Sequence, residues 1–336
     1  MREVRVLATA MELTVFDLAP SSPSVDKADL LFRLAANGKP IPAGPPVVSE
    51  ISRKMGYSVD LLSPQPIRRS APWSSEFEDV VPDNADAFAY RFRQLFLNDD
   101  QWSPFLTLPQ VLSDQLRVVV FVINTGDLDG ASAYLEGVPF IFVASRFPPR
   151  MLFTCAHELG HLLATGENNN NFALIDRYSE NGAKSKTKEE RFAQSFASAL
   201  LLPANGVDKI LKKVRETDRN LSEQPLGDFE VMYLARIFGV SFPVAARRCE
   251  ALGLLPRGAA LSFDRDPKEE YSSEEMDANG LGLPPRAEIE FPHVSPQLLE
   301  PVIEKIRSGE LSVGRAASML GFSIAELLTA NAQTIQ

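Results

Sequence analysis

Two histidines four residues apart, His157 and His161, enclose Glu158, Leu159 and Gly160 in a stretch whose apolar residues keep helical spacing over residues 151–163. On a helix, four residues are about 40° around the axis and one turn along it, so both imidazoles reach one point beside the surface. Glu158 lies about 100° from His157, next to that point and not on it. Paired imidazoles are donors for a divalent metal, and a carboxylate beside the ion is placed to take a proton from water held there. The plain alternative is an amphipathic helix with two part-exposed histidines. Its setting argues against that: only three histidines occur in 336 residues and two are here, strand-forming residues precede the helix, and Gly160 keeps it slim where a second helix or a substrate must approach.

Among those strand-forming residues, 117–123 are rich in β-branched side chains and end at Asn124-Thr125-Gly126, which predicts a buried strand. Residues 131–135 and 138–143, parted by Glu136-Gly137, predict a hairpin or meander, and such short connections imply an antiparallel sheet. Pro148-Pro149 suits the first turn of the next helix, where a missing N–H costs nothing. The stretch 167–185 is polar, with asparagine at 168–171, and is expected to be a loop. Helices are expected over about 188–202 and as a pair within 231–255 split at Gly239-Val240-Ser241.

Nearer the N-terminus, 30–36 and 48–62 have helical spacing, with Ile51, Met55, Val59 and Leu62 on one face. There Ser52-Arg53-Lys54-Met55-Gly56-Tyr57-Ser58 resembles the turn of a helix-turn-helix unit, with Gly56 at the corner. Residues 264–285, acidic and rich in Gly and Pro, predict a linker, and 296–328 a helical segment with turns at Gly309-Glu310-Leu311-Ser312 and Gly321-Phe322-Ser323. The expected fold class is α+β: a helical, helix-turn-helix-like region over 1–75, a core with a small antiparallel or mixed sheet packed on the motif helix over 76–256, and an acidic linker with a helical region over 257–336.

The chain exceeds a usual single domain, and its 45% apolar residues suffice for a core. Lys and Arg number 34 against 44 Asp and Glu, a net charge of -10. A phosphate backbone repels such a molecule as a whole, so any nucleic-acid contact must be local. Cys155 and Cys249 form no CxxC pair and no disulfide framework, which suits a reducing compartment. No apolar run reaches the roughly 18 residues of a membrane span, and the first residues lead into no signal sequence. The expectation is a soluble, cytoplasmic protein with no membrane partner.

A catalytic zinc needs a third protein ligand and one open position. His293 stands in a Phe-Pro-His-Val setting that suggests packing. Glu190 opens a helix whose face continues through the small residues Ala193 and Ala197, which allow close approach to the motif helix. Gln194, one turn later, is placed to accept a hydrogen bond from the outer nitrogen of a ligating histidine. Against Glu190 stands a capping box, Thr187-Lys188-Glu189-Glu190, in which its carboxylate would turn back to the helix start. Glu189 and Glu167 therefore stay open as ligands.

These residues resemble the ImmA/IrrE family of metallopeptidases. The likeness runs through Asp129-Gly130, Pro139-Phe140-Ile141-Phe142-Val143, Pro149-Arg150, Phe153-Thr154-Cys155-Ala156-His157-Glu158-Leu159-Gly160-His161-Leu162-Leu163 and the segment 190–203, then more loosely through 234–241, 248–255 and 309–317. It implies a zincin-like core with helix-turn-helix-like segments, and Glu190 as third ligand because it stands thirteen residues before the proline of a Leu-Leu-x-Pro segment, Pro203. It also implies an endopeptidase that cleaves a helix-turn-helix repressor and switches on stress or mobile-element genes. This chain departs from the family in Cys155, where Leu is common, and Gln194, where Asn is common. Cys155 points about 160° from His157, which favours core packing over metal binding.

The leading expectation is a zinc-dependent metallo-endopeptidase, with zinc on His157, His161 and Glu190 and water activated by Glu158; Mn2+ or Fe2+ suit the same ligands. The alternative is a DNA-binding transcriptional regulator with a structural zinc, motivated by Arg53-Lys54, Arg68-Arg69 and Arg247-Arg248, although short basic pairs are ordinary solvated surface more often than phosphate sites. A third expectation makes the helix-turn-helix-like segments modules that dock the substrate or join a homodimer.

Overall fold

The computed structural model describes residues 22–35, 44–62, 84–125, 128–165, 171–177, 187–217, 225–260, 282–292 and 294–333. Four short strands, β1 (Val119–Ile123), β2 (Leu128–Leu135), β3 (Val138–Ala144) and β4 (Phe172–Arg177), form one sheet in the order β1-β3-β2-β4. β2 and β3 are the expected hairpin, paired antiparallel from Leu135↔Val138 to Gly130↔Val143, with the turn made by Glu136 (φ 50°) and Gly137 (φ 89°). β1 runs parallel to β3, from Val119↔Phe140 to Ile123↔Ala144, so of the two expected forms the sheet is the mixed one, and the short connections do not make it wholly antiparallel. The short link after β1 does reverse the chain, but β3 inserts between β1 and β2. β4 lies inside the stretch expected to be a loop: Phe172-Ala173-Leu174-Ile175 pairs with β2, an apolar run obscured in the sequence by its polar flanks.

The helices are α1 (Pro23–Ala35), α2 (Gly44–Leu62), α3 (Ala85–Phe96), α4 (Leu108–Asp114), α5 (Pro148–Thr165), α6 (Lys188–Leu201), α7 (Ala204–Thr217), α8 (Asp228–Phe238), α9 (Phe242–Ala251), α10 (Leu299–Arg307), α11 (Val313–Leu320) and α12 (Ile324–Gln333). Strand alternation sends Val118, Val120, Ile141 and Val143 into one core with α3 to α9. Val119, Phe121, Phe140 and Phe142 enter a second core with α1, α2 and α10 to α12. The sheet is thus a middle layer, and the N-terminal and C-terminal helices share its far side.

The turn expected at residues 52–58 is not formed: α2 is unbroken there, with Ile51, Met55 and Val59 buried as one face. Gly56 serves packing instead, because a Cβ on it would lie 2.5 Å from the Val25 backbone nitrogen of α1. The turns after α10 and α11 fall where expected, at Gly309 (φ 79°) and Gly321 (φ 89°). α8 and α9 meet at 109° across Gly239, whose φ of 68° closes α8. The expected linker falls mostly outside the described residues. Among those described, no single helix is long and apolar enough to cross a membrane; α8 with α9 passes that test of length and composition only as a bent pair.

Candidate metal centre

The site is built by α5 crossing α6. Packing of α5 between the sheet and α6 buries the whole motif: His157 is 6% exposed, His161 5% and Glu158 0%. Gly160 makes the contact with α6. A Cβ there would lie 2.7 Å from Ala193 Cα and 3.1 Å from Ala193 Cβ, so backbone meets backbone at this point. One turn earlier on the same face of α6 stands Glu190.

The competition for the Glu190 carboxylate is resolved by division of labour. Thr187 caps α6, its hydroxyl accepting from the Glu190 N–H at 3.1 Å. Glu190 then turns its own carboxylate inward, with Oε2 3.6 Å from His157 Nε2 and 3.3 Å from His161 Nε2, while the two Nε2 atoms are 3.0 Å apart. Hydrogen bonding to His157 and then His161 outweighs burial and holds the Glu190 carboxyl well below the usual carboxylate range.

The donor set fits a divalent ion. Metal–nitrogen and metal–oxygen bonds of about 2.0–2.2 Å at tetrahedral angles put ligand atoms roughly 3.3–3.5 Å apart. The three spacings of 3.0, 3.3 and 3.6 Å bracket that range. Among the described residues, this is the group of histidine, cysteine and carboxylate side chains able to share an ion.

The other candidates fall elsewhere. Glu167 and His293 lie outside the described residues. Gln194 is half-buried on α6 and makes no hydrogen bond to either histidine. Cys155 is wholly buried in the core of α5, where burial first and the Glu158 charge second push its thiol up, away from the thiolate a metal would need.

Two basic side chains that raised the question of DNA are held inside the protein. Lys54 donates to the Leu320 carbonyl at the end of α11 (3.1 Å) and lies 5.2 Å from the Phe121 ring centroid. Arg248 donates to the Leu202 carbonyl (2.9 Å) and to both Asp86 oxygens (3.2 and 2.5 Å). Arg68 and Arg69 lie outside the described residues.

Residues 113–250, a span that contains the sheet, α5 and α6, match the family model Peptidase_M78, the IrrE N-terminal-like domain. No curated protein matches the chain.

Proposed function

We propose, on the premise of the match of residues 113–250 to the IrrE N-terminal-like domain of the M78 peptidases, that the chain is a zinc-dependent endopeptidase of the ImmA/IrrE kind. Its substrate is a helix-turn-helix transcriptional repressor, and cleavage releases stress-response or mobile-element genes. The observation that carries the peptidase reading is the meeting of His157, His161 and Glu190 beside Glu158. Structural zinc sites use four protein ligands, whereas three leave a position for water or substrate.

When bound, the ion polarises the carbonyl under attack and lowers the pKa of water to about 7. The chain's own residues do the rest. Glu158 takes the proton from the attacking water onto a carboxylate oxygen and passes it to the departing amide nitrogen, so no proton is left over. His157, His161 and Glu190, brought together by the contact of Gly160 with Ala193, would hold the ion.

An extended substrate has one natural place, as an added strand on the sheet. The outer edge of β1 is taken: Val294 bridges Phe121, and the Ser295 hydroxyl accepts from the Val120 N–H at 2.6 Å. β4 is the strand at the other end. The repressor as substrate rests on the resemblance to the family. Incubating the zinc-loaded protein with a candidate repressor should give one discrete pair of fragments. Glu158→Gln should abolish cleavage while zinc stays bound. Unchanged cleavage by that variant would sink the mechanism, and an intact repressor beside a cleaved second protein would sink the substrate.

A further inference from the structure

The register of β2 against β4 slips by one residue between Leu128 and Gly130: Leu128 pairs with Arg177 and Gly130 with Asp176, so Asp129 is an extra residue, a β-bulge. The side chains record the same slip. Leu128, Ala131, Ala133 and Leu135 all enter the core on the far side of the sheet, which strict alternation forbids for a strand holding both Leu128 and Ala131. The bulge absorbs the extra step and turns two consecutive residues toward α5.

Each of the two makes its own contact with that helix. Asp129 accepts two hydrogen bonds from one Arg150 nitrogen, at 2.7 and 2.8 Å, and so ties down the first turn of α5. Gly130 faces the middle of α5. A Cβ on it would lie 2.5 Å from Glu158 Oε1, 2.6 Å from the Thr154 methyl and 3.1 Å from Glu158 Cγ. Glu158 therefore rests in the space that any side chain at position 130 would fill.

We propose that the bulge at Asp129 and Gly130 is the device that positions Glu158: Asp129 holds the start of α5 through Arg150, and the missing side chain of Gly130 is the seat of the carboxylate. This rests on the peptidase reading for its kinetic consequence but not for its structural one. The residues act through Glu158 and touch no ligand of the ion. The nearest atom to an added Cβ is the far end of the Glu158 side chain, with the Thr154 methyl almost as close at 2.6 Å. Relief therefore displaces the Glu158 carboxylate and presses on Thr154, so the base is misplaced at some cost in stability. A shift of about 1 Å in a reacting group is worth on the order of 100-fold in rate.

Gly130→Ala is the test. It should bind zinc with the stoichiometry and affinity of the parent and keep KM, while kcat falls roughly 100-fold. Its crystal structure should show the Glu158 carboxylate displaced with His157, His161 and Glu190 in place. Should Gly130→Ala not fold, the pair with Thr154→Ser removes the competing methyl and supports the same measurements. A parental kcat, or Glu158 undisturbed, overturns the proposal. If the parent protein cleaves nothing, the peptidase reading fails, yet the position of Glu158 in the variant structure still decides the role of the bulge.

Discussion

Replacing Gly160 by alanine tests whether the contact between α5 and α6 makes the candidate metal site. The added Cβ would stand 2.7 Å from Ala193 Cα and 3.3 Å from its carbonyl oxygen. Carbon atoms in contact are ordinarily about 3.5–4.0 Å apart, and backbone cannot rotate out of the way, so α6 must retreat by about 1 Å. Glu190, three residues before Ala193 on the same face, moves with it. The spacings of 3.3 and 3.6 Å from Glu190 to the histidines then widen, whereas metal–ligand distances tolerate only about 0.2 Å.

Overpacking costs about 1–3 kcal/mol, which for a chain of this size lowers the melting temperature by about 2–4 °C per kcal/mol. Zinc affinity, measured by competition with a chelator, should fall at least 10-fold. The stabilisation conferred by a fixed zinc excess should shrink by about 1.4 kcal/mol for each such factor. A double variant with Ala193→Gly should recover part of the loss, because it removes the contact at 3.1 Å but not the one at 2.7 Å. Parental zinc affinity in Gly160→Ala, with an unchanged melting temperature, would refute the reasoning.

Three other outcomes follow from the contacts described. Glu190→Gln should weaken zinc binding by more than the roughly 10–100-fold typical of partners outside the ligand sphere, read by the same chelator competition, while Glu189→Gln should leave it unchanged. Arg248→Ala should cost about 1–3 kcal/mol in urea unfolding by stripping the buried Leu202 carbonyl of its donor, whereas the exposed neighbour Arg247→Ala should stay within about 0.5 kcal/mol. Burial, opposed by Glu50, lowers the Lys54 pKa. The unfolded chain therefore binds the proton more tightly, and unfolding free energy gains on that of Lys54→Met as pH rises through the folded pKa toward the ordinary lysine value; a pH-independent difference would contradict it.

His157, Glu158 and His161 were legible in the sequence because their relation is local: the helix period alone places both imidazoles at one point and the carboxylate beside it. The hairpin of β2 and β3 was legible for the same reason, since two turn residues couple its strands. Glu190 was legible only as one of several carboxylates. Spacing cannot say whether an acid at the third helical position turns back to the cap or inward to a neighbour, and the approach of Ala193 to Gly160 decides it. Gly56 shows the same ambiguity in reverse, for a glycine that reads as a corner is instead a flat place in an unbroken helix where α1 comes close. The parallel β1, the hidden strand β4 and the bulge at Asp129 are all matters of which strand lies beside which. Such pairings are set by the burial of both sheet faces at once, one by helices from the middle of the chain and the other by helices from its two ends, and no local pattern encodes that.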